Sequence, residues 1–243
     1  MISIIIPTLN EEKTLENTLL PLFEYKNNFP GQCEIIISDG KSKDRTIEIA
    51  RKYADKVTIY QGEKRQTIAM GRNLGVREAR GDILLFLDAD IHIPHIDEFL
   101  KKALSNFQND SDLVALTVCL NIFPDQATFA DRFFSGAFNT MVAFYNNVLH
   151  YGASSGEFQM VRTEIFKQAG GFNESLVAGE DFEFFRRLSH IGRTQCDTSL
   201  HVFHSGRRVH KIGWPKLLWS WFKNWYYATF FKISKITQWE EVR

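Results

Sequence analysis

The stretch Ile83-Leu84-Leu85-Phe86-Leu87-Asp88-Ala89-Asp90-Ile91 decides the fold. Its five leading apolar residues follow Gly81-Asp82, and so short an unbroken run is typical of a strand covered on both faces. The strand ends on two carboxylates, which are costly to bury unpaired, so we expect Asp88 and Asp90 to face a cleft. The pair suits a hard divalent cation, Mg²⁺ or Mn²⁺, that carries substrate phosphates. A lone Asp-x-Asp also fits a strand cap or an Asx turn.

Strand and helix patterns alternate before this stretch. Unbroken apolar runs predict strands at 2–6, 34–38 and 57–60, and helical periodicity fills the gaps between them. We expect Asn10 to cap the first helix, and Ser42 or Asp44 the second. This β-α-β-α-β-α-β order predicts an open parallel sheet with right-handed crossovers. In such sheets ligands bind beyond the carboxyl ends of the strands, where the polar loops at 7–12, 38–44 and 88–90 meet.

The second half of the chain continues the α/β pattern without repeats or low-complexity linkers. A helical stripe follows the aspartates, and a long amphipathic helix lies near the middle of the chain. Two later helices end at glycines, and two short strands close the globular part. The predicted helices are 96–107, 128–149, 163–170 and 180–192, and the predicted strands are 113–120, 157–161, 193–197 and 200–204.

Composition limits the class of protein. The 243 residues, 44% of them hydrophobic, suffice for one large α/β domain or two small ones. Lys and Arg balance Asp and Glu at 29 each, so net charge gives no support to nucleic-acid binding. Three distant cysteines indicate core residues of a cytosolic protein, not a disulfide framework. We expect no signal peptide and no membrane-spanning helix.

The C-terminal end is unusually aromatic, since all five tryptophans lie in the last thirty residues. Read as a helix, residues 214–233 place Lys216, Ser220, Lys223 and Asn224 on one narrow polar side. The remaining apolar surface is too large to leave in water. It suits a bilayer interface, which would put the protein at the inner face of the membrane through 212–233. Packing on the catalytic domain or in a homodimer would cover it equally well.

Five motifs follow one another along the chain. They are Ser3 to Glu11, Ile36 to Thr46, Gly71 to Gly75, Gly81-Asp82 with Asp88-Ala89-Asp90, and Gly170 to Glu174 with Gly179 to Glu183. In this order they resemble the motifs of the family-2 glycosyltransferases of the GT-A fold. The resemblance covers about residues 2–210, and it departs most at 121–156, where such enzymes vary.

The resemblance implies a Rossmann-like, mostly parallel sheet with helices on both faces. The implied domain is 1–210, with a nucleotide-binding half at 1–120 and an acceptor-binding half at 121–210, followed by the aromatic helical tail 211–243.

The resemblance implies transfer of a sugar, with inversion, from a UDP- or GDP-linked donor to a hydroxyl acceptor, either a glycan or a lipid-linked molecule. A divalent cation would stabilise the departing diphosphate as a Lewis acid. We assign Asp90 as the direct metal ligand, Asp88 to the donor's ribose or a metal-bound water, and His204 as a further metal ligand. The alternative for His204 is a structural role.

The remaining donor contacts are assigned by position in the motifs. Asp39 resembles the base-binding aspartate, and its alternative is an Asx turn before Gly40. A guanidinium matches phosphate oxygens, so Arg72 or Arg65 would meet the diphosphate; the alternative for Arg72 is a helix-surface ion pair. Arg207 and Arg208 would close over the diphosphate or form a solvated basic turn. The implied nucleotide-sugar residues are Pro7, Thr8, Asn10, Glu11, Asp39, Arg65, Arg72, Asp88, Arg207 and Arg208.

An acid pair, Glu180-Asp181, stands before a predicted helix. An acceptor hydroxyl is a poor nucleophile at neutral pH, and a positioned carboxylate that removes its proton contributes about 10²–10⁴-fold. We assign that base to Asp181, while stabilisation of the helix start is the alternative.

Two other functions compete with this hypothesis. A sugar nucleotidyltransferase shares the layout, but its first loop is usually Gly-rich and basic, whereas residues 7–12 contain no glycine and two glutamates. A non-catalytic nucleotide-binding, membrane-associated protein has little use for the acid pair at 180–181.

Overall fold

A computed structural model describes residues 1–231, and only the backbone of residues 224, 225 and 228–231. Strands and helices alternate along this part of the chain as the sequence predicts. The strands are β1 Ile2–Thr8, β2 Cys33–Asp39, β3 Lys56–Ile59, β4 Ile83–Leu87, β5 Ile91–His92, β6 Leu113–Ile122, β7 Phe158–Arg162 and β8 Arg193–His204. The helices are α1 Leu15–Asn28, α2 Thr46–Tyr53, α3 Ile68–Val76, α4 Ile96–Asn109, α5 Phe129–Asn147, α6 Thr163–Gln168, α7 Glu180–Leu188, α8 Arg207–Ile212 and α9 Trp214–Phe231.

The strands form one sheet in the order β3-β2-β1-β4-β7-β6-β8-β5. Strands β1 to β4 are mutually parallel, with β1 between β2 and β4. Strand β7 runs antiparallel between β4 and β6, and β8 returns parallel to β6. The predicted open, mostly parallel sheet is confirmed. In its middle, β7 runs antiparallel to both of its neighbours.

Both faces of the sheet are covered by helices. On β1, Ile4 and Ile6 lie in a core shared with α1, α2 and α4, whereas Ile5 lies in a second core with α3, α6 and α7. On β4, Leu84 and Phe86 lie in the second core, and the residues on either side of them lie in the first. Every position at 2–6 and 83–87 is therefore buried, and each fully buried apolar side chain contributes roughly 1.5–3 kcal/mol. This explains the unbroken apolar runs in the sequence.

Three local predictions are wrong, one of which is the cap of α2, where Arg45 takes the place expected for Ser42 or Asp44. The two short strands expected at 193–197 and 200–204 are one strand, β8, whose register on β6 jumps between Asp197 and His201. Asn10 does not cap α1, which begins after Thr14. Instead Asn10 adopts a left-handed conformation (φ 53°), and its side-chain oxygen accepts from the Lys43 amide, so it holds the β1–α1 loop against the loop after β2.

A two-residue strand, β5, follows Asp90 and was not predicted. It pairs antiparallel with the end of β8, so that Ile91 lies opposite His204. This pairing holds the loop after β4 beside the start of α8, although the two are more than a hundred residues apart in the sequence.

The C-terminal helices are fastened to α5 by one carboxylate. Asp131 completes a capping box with Thr128 at the start of α5. The same carboxylate accepts from His210 Nε2 at 2.9 Å and from Trp214 Nε1 at 2.6 Å. Burial alone would raise the pKa of Asp131, but hydrogen bonds from His210, Thr128 and Trp214 lower it to about 2. The predicted division at residue 210 therefore falls inside α8. The bond between His210 and Asp131 joins this helix to α5.

None of the helices in residues 1–231 is long and apolar enough to cross a bilayer. The three cysteines are buried with free thiols, as expected for core residues. The part of the predicted tail after residue 231, including Trp239, lies outside the described residues.

Replacing Asp131 with Asn should lower the free energy of unfolding at pH 7 by roughly 2 kcal/mol, because the ionised carboxylate is the better acceptor. Its pKa is lower in the folded than in the unfolded chain, so this contribution is complete above about pH 5 and disappears as the pH falls through about 2. Urea unfolding should therefore show a smaller gap between wild type and Asp131→Asn at pH 3 than at pH 7. Asp125→Asn, an exposed control just before α5, should match wild type at both pH values.

Candidate active site

A cavity of about 1750 Å³ opens at the carboxyl ends of β1 and β4. The loop before β7, the start of α7 and the start of α8 also line this cavity. Twelve residues that the sequence singled out line it together. They are Pro7, Thr8, Glu11, Arg65, Arg72, Asp88, Asp90, Glu180, Asp181, His204, Arg207 and Arg208.

Arg72 is the centre of the polar side of this cavity. Helix α3 carries its side chain inwards, where only 1% of it is exposed. One terminal nitrogen donates to Asp88 Oδ1 at 3.1 Å and to the Gly156 carbonyl at 2.6 Å, and the other donates to Glu180 Oε1 at 3.2 Å. The alternative of a helix-surface ion pair is therefore wrong, because the guanidinium is buried among carboxylates.

Gly156 lets Arg72 approach the backbone. A Cβ at this position would lie 2.9 Å from a terminal nitrogen of Arg72 and 3.3 Å from Asp181 Oδ2. A side chain here would push the guanidinium or the carboxylate away, so the small loop before β7 is part of the site.

Four carboxyl groups beside Arg72 have raised pKa values. Burial, reinforced by the charge of Asp181, raises the pKa of Glu180 to about 8, although Arg72 opposes the change. Burial raises the pKa of Asp181 as well, again against Arg72. Burial and like charges raise the pKa values of Asp88 and Glu157 to about 7. A pKa near neutral pH is typical of catalytic carboxyl groups.

Helix α7 presents the acid pair. It starts after Gly179, whose φ of 80° suits glycine. Glu180 is buried against Arg72, whereas Asp181 is half-buried and its Oδ1 accepts from the adjacent Phe182 amide at 2.8 Å. Both acids lie in the first turn of α7, where the helix dipole stabilises negative charge. The structural alternative is therefore met, and the role of Asp181 as a base stays a prediction.

Asp90 belongs to a second polar group. Its Oδ2 accepts from the Ser205 hydroxyl and from Arg207, each at 2.9 Å. The same Arg207 nitrogen lies 3.6 Å from Glu11 Oε2. Burial lowers the pKa of the nearby His204 imidazole, against the pull of Asp90 and Asp88, which favours the neutral, ligating form. The β5–β8 pairing is what brings these groups together.

The donor atoms fit a hard cation only in part. No three His, Cys, Asp or Glu side chains in residues 1–231 are placed to hold a metal ion by themselves. Asp88 and Asp90 nevertheless present carboxylate oxygens to the cavity, with 31% and 21% of their side chains exposed. Such a pair fits Mg²⁺ or Mn²⁺ that takes its other ligands from phosphate and water.

Asp39 and Asn10 lie outside the cavity wall. Asp39 is fully buried, and its carboxylate accepts from the Thr8 hydroxyl at 2.8 Å, the Ser42 amide at 2.7 Å and the Ser42 hydroxyl at 2.6 Å. The carboxylate therefore holds the loop after β2 through the amide three residues on, whereas an Asx turn would use the amide two residues on. A contact with a nucleobase stays a prediction, and Thr8 lies between Asp39 and the cavity.

Sequence reasoning missed three parts of the site. Glu157 lines the cavity beside Asp88, and its only sequence signal is a carboxylate directly before a buried strand. Ser205 holds Asp90, and a lone serine carries no signal. The apolar end of the cavity, formed by α5 and α9, was predicted as a helix stripe and as an aromatic tail, without the link between them.

The sequence of this chain matches the model of glycosyl transferase family 2 over residues 3–170. The chain belongs to this family. Among curated proteins it is 28% identical over 196 residues to the dolichyl N-acetyl-alpha-D-glucosaminyl phosphate 3-beta-D-2,3-diacetamido-2,3-dideoxy-beta-D-glucuronosyltransferase of Methanococcus voltae, a match that covers 75% of this chain and 60% of the other. The chain thus spans about three fifths of this relative's length.

Two solved structures share the fold. The mannosyltransferase PcManGT from Pyrobaculum calidifontis, in complex with GDP-Man and Mn²⁺, superposes with a TM-score of 0.66 at 21% identity, over 84% of this chain and 56% of that one. TarS 1–349 from S. aureus, in complex with UDP-GlcNAc, gives a TM-score of 0.64 at 23% identity, over 84% and 58%. The predicted fold class is confirmed by both.

Replacing Arg72 with Met should destabilise the protein by about 3 kcal/mol, because two carboxyl groups lose their buried partner. Chemical unfolding at pH 7 measures the effect. The matched change Arg77→Met, at an exposed position just after α3, should cost less than about 0.5 kcal/mol. Equal losses in the two variants would show that Arg72 is not the centre of the network.

Proposed function

We propose that this protein is an inverting glycosyltransferase that moves a sugar from a UDP- or GDP-linked donor to a hydroxyl acceptor. One observation supports this function best. Carboxyl groups from β4 and from α7, about ninety residues apart in sequence, line one cavity and are joined through Arg72. Family membership favours this function over a sugar nucleotidyltransferase or a non-catalytic nucleotide-binding protein.

In our proposal Asp90 is the direct ligand of a divalent cation, and Asp88 contacts the donor's ribose or a metal-bound water. The bound cation, Mg²⁺ or Mn²⁺, would act as a Lewis acid on the diphosphate. Mn²⁺ accompanies the nucleotide sugar in the PcManGT complex, which supports the choice of metal. The charges of Asp90 and Asp88 both act on the His204 imidazole, and this histidine is our candidate for a further metal ligand.

Arginines would bind the charge of the departing diphosphate. Arg207 and Arg208 begin α8 and line the cavity beside Asp90, and Arg65 lines it from the loop before α3. A planar guanidinium can hold two phosphate oxygens at once. We assign Arg72 a positioning role instead of a phosphate contact, because its terminal nitrogens are already bound to Asp88, Glu180 and Gly156.

Asp181 is our general base. Its carboxyl group is half-buried at the cavity wall, whereas Glu180 is buried and bound to Arg72. Burial raises the pKa of Asp181, which strengthens it as a proton acceptor from an acceptor hydroxyl. A base and a departing diphosphate on opposite faces of the sugar favour inversion, as in hydrolases with two flanking carboxyl groups.

The nucleoside would lie against the loop after β1. Pro7, Thr8 and Glu11 line this end of the cavity, and Asp39 lies beneath Thr8. A carboxylate accepts from the N–H groups of either uracil or guanine, so the donor stays open between UDP and GDP sugars. The acceptor is likewise open at this point between a glycan and a lipid-linked molecule.

We also propose that the protein contacts a membrane surface through 212–233. Within the described part of this segment, Trp219 is 64% exposed and stacks on Phe222, which is 53% exposed. The M. voltae relative is named for a dolichyl-linked substrate, which supports the idea of an acceptor held at a membrane.

Asp181→Asn should lower the transfer rate at least about 100-fold, because the proton acceptor is lost. Asp90→Ala should lower it by a similar factor and abolish the dependence on Mn²⁺. The measurement is release of nucleoside diphosphate across a panel of UDP- and GDP-linked sugars and acceptors.

Two controls make this test decisive. Glu164→Gln, at an exposed position on α6, should turn over like wild type. Asp181→Asn should still be stabilised against heat by UDP or GDP with Mn²⁺, which also shows the class of the donor. A full-rate Asp181→Asn enzyme would remove this residue as the base.

Membrane contact predicts that the full chain floats with anionic liposomes and much less with neutral ones. Trp219→Glu should reduce the bound fraction several-fold, since it removes an exposed anchor and adds a like charge. Glu164→Gln should float as wild type does. Recovery of wild type entirely in the lipid-free fraction would rule out this contact.

A further inference from the structure

The cavity has an apolar end that the donor chemistry does not use. Helix α5 contributes Phe134, Phe138 and Met141 to its wall, and α9 contributes Leu217, Trp221 and Phe222. We call this region the apolar bay. Phosphates, hydroxyls and nucleobases would find few hydrogen-bond partners there, and burying such groups unpaired is costly. The bay therefore fits a hydrocarbon better than any part of a nucleotide sugar.

Phe138 connects the bay to the proposed base. Its ring centre lies 6.3 Å from that of Phe182, the residue after Asp181. On the other side it lies 5.7 Å from the ring of Trp221 in α9. The bay therefore reaches α7, and Phe182 and Asp181 of this helix line the same cavity as Phe138.

The size of the cavity leaves room for a second ligand. Its volume of about 1750 Å³ exceeds the roughly 300–1,000 Å³ usual for the site of one small molecule. The polar end, with Asp88, Asp90 and Arg207, suits the donor, and side chains of α5 and α9 line the apolar bay.

The outer faces of the same two helices are also apolar. Phe133 and Phe144 of α5 are 62% and 49% exposed, and Trp219 of α9 is 64% exposed. Exposed apolar patches of this kind mark sites of lipid or protein contact. A chain that leaves the bay between α5 and α9 would remain among apolar side chains.

Charge near the bay favours an anionic ligand. From Arg207 to Phe231 the sequence has five Lys or Arg residues and no Asp or Glu. Lys211, Lys216 and Lys223 among them are exposed. This excess of cations complements a phosphate carried on a lipid, whereas a neutral glycan would gain nothing from it.

We propose that the acceptor is a phosphate-linked glycolipid whose hydrocarbon chain lies in the apolar bay and whose sugar hydroxyl faces Asp181. This inference rests on the proposed transferase function and names its acceptor class. The balance of the reaction is simple: the acceptor oxygen forms a bond to the anomeric carbon, the bond to the diphosphate breaks, and the hydroxyl proton passes to Asp181.

Direct binding of single-chain lipids tests the proposal without turnover. The probes are octyl, decyl and dodecyl phosphate below their critical micelle concentrations. Inorganic phosphate, which has no alkyl chain, is the control ligand. Each methylene that enters the bay should strengthen binding to the full-length protein by roughly fourfold, from about 0.8 kcal/mol per group. Inorganic phosphate should bind far more weakly than dodecyl phosphate. Titration calorimetry gives these affinities.

Substitutions locate the chain. Phe138→Glu should weaken the binding of dodecyl phosphate at least about tenfold, because a carboxylate then stands in the bay. Met141→Glu, at a bay position already 37% exposed and thus tolerant of a polar group, should weaken it in the same direction. Phe129→Glu, on the same helix but 86% exposed and outside the cavity wall, should bind as wild type does. Thermal stabilisation by UDP or GDP with Mn²⁺ confirms that each variant keeps the donor site.

Three results would overturn the proposal. They are affinity independent of chain length, wild-type binding by both Phe138→Glu and Met141→Glu, and an equal loss in Phe129→Glu, which would place the chain on the outer surface. Nucleoside diphosphate release with a glycan acceptor but no binding of alkyl phosphates would defeat the glycolipid acceptor alone. Chain-dependent binding in the bay without turnover of any donor would defeat the transferase function instead.

Discussion

The site depends on one buried guanidinium group, that of Arg72. Arg72 joins Asp88 at the end of β4 to Glu180 at the start of α7 and also holds the carbonyl of Gly156. Removing a guanidinium from water is expensive, and a hydrophobic replacement for a buried ion pair is often no less stable. The arrangement is better explained by position, because three segments from distant parts of the chain are fixed relative to one another by a single planar group. Burial raises the pKa values of these carboxyl groups, and the positive charge of Arg72 opposes that rise while it holds them together.

Around this centre the fold supplies rigid supports. The parallel strands β1, β2 and β4 end at one edge of the sheet, and their loops carry the groups proposed to bind the donor. The reversed strand β7 starts from the same edge, which brings Glu157 opposite the end of β4. The proposed acceptor side is built differently, from helices α5, α7 and α9, whose facing side chains are mostly aromatic. A polar half made of strand ends and an apolar half made of helices thus share one cavity.

Much of this organisation could be predicted from the sequence. The strands β1, β2 and β4 are buried on both faces, so their unbroken apolar runs were a strong signal. Strand β5 escaped prediction because two residues are too few for any periodicity, and β8 was divided because the polar residues 197–199 interrupt it at its irregular register. The burial of Arg72 had no sequence signal, since arginine on an amphipathic helix is usually exposed. The role of Asp131 was hidden for a similar reason, because its partners His210 and Trp214 are about eighty residues away.

The short pairing of β5 with β8 has a consequence for how the two halves of the cavity communicate. Asp90 precedes β5 and is held by Arg207, the first residue of α8, which leads directly into α9. Any ligand that competes with Arg207 for Asp90 therefore changes what secures the beginning of the C-terminal helices. By thermodynamic reciprocity, whatever steadies those helices must in turn alter affinity at Asp90 by the same factor. The contact between Asp90 and Arg207 thus links occupancy at the polar end of the cavity to the anchoring of its aromatic end.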